Sequence, residues 1–157
     1  METQQLAALA ALLRSQRQAA LGTLRDGAPF VSMVLYAEAP DLSGFWLHLS
    51  SLAVHTRALR QASGASLMIF EPDTGSRDPQ QLARVSLQGE ASVVGKGTPD
   101  YEVAKTIYLA KYPGAVQYFN LGDFDLYCLQ PQTARYVAGF AQAYNLTTAD
   151  LLQAGQL

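Results

Sequence analysis

Residues 19–36, Ala-Ala-Leu-Gly-Thr-Leu-Arg-Asp-Gly-Ala-Pro-Phe-Val-Ser-Met-Val-Leu-Tyr, form the clearest hairpin pattern in the chain. Two strand-like runs, Ala19 to Arg25 and Phe30 to Tyr36, are joined through Asp26-Gly27, a dipeptide that tolerates the positive φ angles of a tight turn. In the second run both faces are largely apolar, because alternation places Phe30, Ser32, Val34 and Tyr36 on one face and Val31, Met33 and Leu35 on the other. Such a strand suits a barrel wall or a subunit interface.

The remaining elements surround this hairpin. Apolar residues at i, i+3, i+4 and i+7 predict an amphipathic helix over residues 3–17, with Arg14 and Arg17 in its last turn. Further helices are predicted at 52–61, from Pro99 to Tyr112, and after a cap at Thr147. Strands are predicted at 45–50, 65–70, 84–94, 123–129 and 134–140, the last two separated by a turn at 130–133. Adjacent strands with Gly and Pro turns favour a mainly β (α+β) fold, an antiparallel barrel with peripheral helices.

Composition limits the classes of function. The 157 residues are expected to form one domain over 1–157, with 49% hydrophobic and 15% charged residues. So few charges predict apolar surface that a ligand or a second subunit covers, and we expect a homodimer. The net charge of −2, without a run of like charges, argues against a nucleic-acid partner. Neither a basic N-terminal region nor a membrane-spanning apolar run is present, so we expect a cytoplasmic protein without a membrane partner.

Cysteine and histidine are scarce. Cys128 is the only cysteine and lies in a strand-like run, which favours a small buried side chain. The two histidines, His48 and His55, have no carboxylate pair at ligand spacing, so we expect no resident metal site of their own. His48 is expected in the core or at an interface.

The stretch Leu49 to Leu59, Leu-Ser-Ser-Leu-Ala-Val-His-Thr-Arg-Ala-Leu, marks a strand that runs into a helix. The first amides of a helix lack intrahelical acceptors and attract anions, so a phosphate can bind at such a junction. Ser51 and His55 would share one helical face, with Arg57 close by. The alternative is that Ser50 or Ser51 simply caps the helix.

The ordered set of segments resembles the pyridoxamine 5′-phosphate oxidase-like FMN-binding split-barrel family, and the heme-utilisation (HugZ-type) branch looks most similar. The segments that carry this resemblance are Ala20 to Leu24, Ala28 to Tyr36, Leu49 to Leu59, Arg84 to Gly89, Tyr108 to Pro113, Gly122 to Tyr127 and Val137 to Phe140. The resemblance implies a six-stranded antiparallel split β-barrel that dimerises, with FMN in clefts at the subunit interface.

The resemblance also implies which residues form the cofactor site. They are Val31, Ser32, Leu49, Ser50, Ser51, Val54, His55, Thr56 and Arg57, with Arg84 added from the strand at 84–94. None is an obvious acid or base, which fits a flavin enzyme whose cofactor carries the chemistry. Catalytic residues stay unassigned.

One departure from the family pattern narrows the function. The vitamin B6 oxidases carry cations on the second strand and at the phosphate helix, where this chain has Val31 or Ser32, Tyr36, and Val54-His55-Thr56. Oxidation of pyridoxamine phosphate is therefore not expected. We expect an FMN-dependent oxidoreductase acting on a small molecule; the alternatives are a heme-binding or heme-utilisation protein, deazaflavin in place of FMN, and a non-catalytic split-barrel dimer.

Overall fold

The structure is a computed structural model that describes residues 1–157, and its centre is one antiparallel sheet curled into a half-barrel. The strands are β1 (Gln18–Arg25), β2 (Ala28–Leu35), β3 (Ala37–Glu38), β4 (Phe45–Ser50), β5 (Gly64–Phe70), β6 (Arg84–Val93), β7 (Phe124–Gly139) and β8 (Gln142–Thr147). The helices are α1 (Thr3–Ser15), α2 (Val54–Gln61), α3 (Pro99–Lys111), α4 (Val116–Phe119) and α5 (Thr148–Gly155). None of them is long and apolar enough to cross a membrane.

Strand order explains the split barrel. The path is β2-β1-β5-β6-β7-β4-β3, with β8 added beside the second half of β7. Six strands, β1, β2 and β4 to β7, make the curved wall, as the family resemblance implies, while β3 has only two residues. Val34 of β2 and Leu47 of β4 belong to the same buried cluster, so the two ends of the sheet close over one core.

Local sequence signals account for several elements. The hairpin of β1 and β2 is confirmed, with Asp26 and Gly27 both at positive φ. Thr147 caps α5 through a reciprocal bond with Asp150, as predicted. The Tyr and Ala stripe of α3 is buried, and its last tyrosine, Tyr112, follows the helix.

Several predicted boundaries were wrong. The predicted turn at 130–133 is a bulge within the continuous strand β7: Thr133 pairs with Gln88, and Pro131 with Gly89. Proline lacks an amide hydrogen and resembles a turn signal, but a bulge accommodates it equally well. Helix α1 ends at Ser15, so Arg17 lies beyond the helix rather than in its last turn.

The outer face of β2 is uncovered in the protomer. Val31 and Met33 are 66% and 64% exposed, while Val34 on the opposite face is buried. The apolar surface continues across the sheet through Met68 and Phe70 of β5, both more than a third exposed. The two-faced apolar pattern of this strand therefore divides into a core face and an open face.

Candidate functional site

A cavity of about 620 Å³ opens where β2, the end of β4 and the start of α2 meet the segment between α3 and β7. Its apolar walls include Met33 and Leu35 from β2 and Phe124 from β7. Its polar lining comes from Arg17, His48, Ser50, His55 and Gln117. A mostly apolar cleft with a few polar groups is typical of a site for a small organic ligand or cofactor.

His55 lies in the first turn of α2 and lines this cavity. Its Nδ1 is 3.0 Å from the hydroxyl of Ser32, and its Nε2 makes no hydrogen bond within the chain. Burial lowers the pKa of His55, so the imidazole is neutral at physiological pH. A neutral imidazole with one nitrogen held and the other free is the form in which histidine binds a metal ion.

His48 forms an aromatic wall of the same cavity. Its ring stacks on Phe119 at 3.7 Å between centroids and 8° between planes, and Tyr108 and Phe124 lie within 6 Å. Its Nε2 is buried without a partner. Desolvation, with a smaller contribution from Lys96, lowers the pKa of His48 to about 4. The expectation of a core histidine is confirmed, although its ring also borders the cavity.

At the junction of β4 and α2, Asp123 engages both serines. The Ser50 hydroxyl donates to Asp123 Oδ2 at 2.7 Å and accepts the amide of Leu52 at 3.2 Å. The amide of Ser51 donates to the carbonyl of Asp123 at 2.6 Å. Helix α2 starts at Val54, so the predicted start at residue 52 was two residues early and Ser51 lies outside the helix.

The capping alternative was also wrong. The N-cap residue is Ala53, which has no side chain that could cap, and neither serine bonds to the first turn. The first helical hydrogen bond runs from the Arg57 amide to the Ala53 carbonyl, so the amides of Val54, His55 and Thr56 have no acceptor within the helix. These are the amides that a bound anion would use.

The residues expected at the cofactor site divide into two groups. Leu49, Ser50 and His55 line the cavity, and Ser32 reaches it through His55. The other expected residues do not line it. Four of them surround the start of α2: Ser51, Val54, Thr56 and Arg57. Val31 lies on the outer face of β2, and Arg84 lies beside a different cavity, where it donates to the carbonyls of Gln80 and Leu82. Thr56 is fully buried and Arg57 is exposed.

Several cavity residues were missed because they come from distant segments. Arg17 is the one cation that lines the cavity, and its guanidinium lies 4.9 Å from the centre of the Tyr112 ring. The Tyr112 hydroxyl lies 2.6 Å from the carbonyl of Arg17 and 2.7 Å from that of Tyr36, so one donor serves two carbonyls. The only sequence signal for this corner was the tyrosine stripe itself, which also fits a core helix.

A match to a known family covers nearly all of this architecture. Residues 2–152 fit the family model described as CREG, beta-barrel. The chain belongs to this family. Its relatives include the chloroplast heme oxygenase HOZ of Arabidopsis thaliana, 37% identical over 121 residues, which are 76% of this chain and 35% of that protein. The chain therefore spans about a third of the length of HOZ.

Solved structures share the fold of this family member. A heme binding protein from Mycobacterium smegmatis superposes with a TM-score of 0.86 at 25% identity, over 97% of this chain and 61% of that one. A protein of the pyridoxinephosphate oxidase family from Clostridium acetobutylicum superposes with a TM-score of 0.71 at 16% identity, over 96% and 99% of the two chains. The second match concerns the fold alone, and it confirms the split barrel.

Proposed function

We propose that this chain binds heme in the cavity between β2, β4 and α2. The observation that carries the proposal is His55, a neutral imidazole at an apolar cavity with Nδ1 at the Ser32 hydroxyl and Nε2 free. HOZ is named as a heme oxygenase and the Mycobacterium smegmatis protein as heme binding, which supports the same ligand. Heme thus ranks above FMN, the cofactor first expected from the family resemblance.

The residues present fit this ligand. Met33, Leu35 and Phe124 offer apolar contact to a macrocycle, and His55 is the residue that would hold the iron. Arg17 and the first amides of α2 provide positive potential for propionate groups. Bound heme would supply iron redox chemistry, including activation of oxygen.

His48 fits a different role. Its Nε2 is enclosed without access to solvent, and its ring is held against Phe119. It would pack against the ligand as an aromatic surface. This difference between the two histidines makes them a matched pair for testing which one holds the iron.

The test is a hemin titration of wild type, His55→Ala and His48→Phe, followed by the Soret band and the spin state of the iron. We expect His55→Ala to lose the band shift that histidine ligation produces, and His48→Phe to keep it. Ser32→Ala should bind hemin more weakly by about tenfold, as for loss of a group that orients a metal-binding histidine. Absence of a histidine-ligated spectrum in folded wild-type protein would refute the proposal.

The reaction is tested by adding a reductant to the hemin complex in air. Loss of the Soret band with release of an open-chain tetrapyrrole supports a heme oxygenase. A band that persists without product supports a heme-binding protein that leaves its ligand intact.

FMN is the second candidate, because the free first amides of α2 suit a phosphate. The protein would then act as an oxidoreductase on a small molecule, with deazaflavin as a related cofactor. Flavin absorbance at ~450 nm after addition of FMN tests this candidate, as expected if the cofactor carries the chemistry. Protein that binds FMN more tightly than hemin would favour it.

A homodimer is part of the proposal. Met33 belongs both to the exposed apolar face and to the cavity lining, so a second copy on that face would border the ligand site. Charged residues are absent from the centre of this face, where Val31, Met33 and Met68 are exposed. Val31→Glu should yield monomers in size-exclusion chromatography with light scattering, while Val116→Glu, at an exposed valine of α4, should not.

A further inference from the structure

We propose that Asp123 is a specificity-determining residue that disfavours phosphate-bearing ligands at the α2 end of the cavity and admits carboxylate-bearing ones. This inference rests on the proposed ligand site. It goes further by stating which class of anion the site accepts.

The first argument concerns the single hydroxyl hydrogen of Ser50. A hydroxyl carries one hydrogen, and that of Ser50 is directed to Asp123 Oδ2 at 2.7 Å. One of its lone pairs receives the Leu52 amide. Ser50 lines the cavity but has no hydrogen left for a phosphate oxygen. A phosphate arriving here would need to displace Asp123 from this bond.

The second argument concerns charge. Asp123 takes part in no salt bridge, whereas Asp125, two residues along the chain, pairs with Lys96 at 3.2 Å and Arg60 at 3.7 Å. A helix N-terminus contributes only about half a positive charge. Arg57, the permanent cation of the first turn, is exposed and lies outside the cavity lining. Asp123 does not line the cavity either and acts on it through Ser50, whose hydroxyl donates to its carboxylate. No lysine or arginine nitrogen lies within 4 Å of that carboxylate to offset its charge.

The third argument compares the anions themselves. A phosphate ester carries about −1.5 to −2 charges near neutral pH, while a carboxylate carries one. Repulsion from Asp123 grows in proportion to that charge, so it is about 1.5 to 2 times as large for the phosphate as for the carboxylate. The phosphate also loses one potential donor, because the Ser50 hydroxyl already donates to Asp123. Both effects act in the same direction.

The experiment compares FMN with riboflavin, two ligands that differ only in the phosphate. Flavin fluorescence titrations are run on wild type, Asp123→Asn and Asp125→Asn, with a hemin titration of each as the readout of the proposed function. Asparagine at 123 retains an oxygen that accepts the Ser50 hydroxyl, so the change removes charge and little else. Asp125→Asn is the control, because it removes a neighbouring carboxylate that two cations already offset.

In wild type we expect FMN to bind no more tightly than riboflavin. In Asp123→Asn the ratio of FMN to riboflavin affinity should rise at least about tenfold, equivalent to ~1.4 kcal/mol. Riboflavin affinity should stay the same, and Asp125→Asn should behave like wild type. High salt should reduce the gain, since partly exposed charges are screened.

Three outcomes overturn the inference. They are an unchanged ratio in folded Asp123→Asn, an equal rise in Asp125→Asn, and wild-type protein that already prefers FMN over riboflavin by tenfold or more. Failure of every variant to bind FMN also counts against it, because removing the charge would then not have admitted a phosphate. The hemin titration decides the proposed function separately, whatever the flavins do.

Discussion

Replacement of His48 by phenylalanine should remove much of the acid sensitivity of the fold. His48 is 9% exposed, and its pKa falls from 6.5 to about 4 on folding. The folded state therefore binds fewer protons than the unfolded state between these two values, and stability rises with pH across that window. The contribution is complete above about pH 6.5 and is lost as the pH falls to about 4.

The size of the effect follows from the shift. Each pKa unit corresponds to about 1.4 kcal/mol, so protonation of His48 costs the fold about 3 kcal/mol by pH 4. The charged groups that act on this ring are Lys96 and Lys105, which lower its pKa, and Asp125, which opposes them. Desolvation is the largest single contribution to the lowered pKa. Phenylalanine preserves the ring stack on Phe119 and has no nitrogen to protonate.

The assay is urea unfolding of wild type and His48→Phe at about pH 7 and about pH 4.5, followed by the fluorescence of Trp46, the single tryptophan. Between these pH values wild type should lose roughly 2 to 3 kcal/mol more than the variant. At pH 7 the variant should be as stable as wild type or slightly more so, because the unpartnered Nε2 is gone. Carboxylates titrate in both proteins and cancel in the difference. Parallel stability curves would refute the reasoning.

Three further predictions concern the stability of the fold and the affinity of the site for hemin. Tyr112→Phe removes the hydroxyl that two carbonyls share and should lower the free energy of unfolding in urea by about 1–3 kcal/mol. The control is Tyr118→Phe, whose hydroxyl makes no hydrogen bond within the chain and whose loss should cost less than about 0.5 kcal/mol. Gly89→Ala should lower the melting temperature strongly, because a Cβ at this position would lie 1.9 Å from the Gln130 carbonyl oxygen. Gly64→Ala is the control: a Cβ there meets nothing within 4 Å, so the melting temperature should stay nearly unchanged. Equal changes in the two variants would contradict the bulge geometry. Arg57→Ala should alter hemin affinity by less than about twofold in a titration, since an exposed charge outside the cavity is well screened.

Elements with strong local signals were predictable from the sequence. Asp26 and Gly27 are residue types that tolerate positive φ, so the pair predicts a tight turn without reference to the rest of the fold. The Thr147 cap likewise requires only Asp150, three residues later. The bulge at Pro131 and the strand β8 were not predictable in this way. Their state depends on pairing between β6, β7 and β8, which no local pattern records.

The same distinction between local and long-range information applies to the candidate site. His55 and Ser50 were predicted because both lie in one continuous stretch at a strand end and a helix start. Arg17, Tyr112 and Phe124 were missed, since they come together only when α1, α3 and β7 pack around the cavity.

The sequence by itself determined most of the strands and helices, and the strand-to-helix junction to within two residues, because periodicity and turn residues are short-range properties. The resemblance of its ordered segments implied the split-barrel family. Only the tertiary structure showed that Asp123 engages both serines from 72 or more residues away, that Ser32 holds His55, and that His48 is desolvated among aromatic rings. Hydrogen-bond partners and pKa shifts depend on which distant groups meet and how much water remains between them. For that reason the sequence led to FMN only through its family resemblance, while the place of His55 at the cavity, together with the heme-related names of the relatives, makes heme the ligand that we propose to test first.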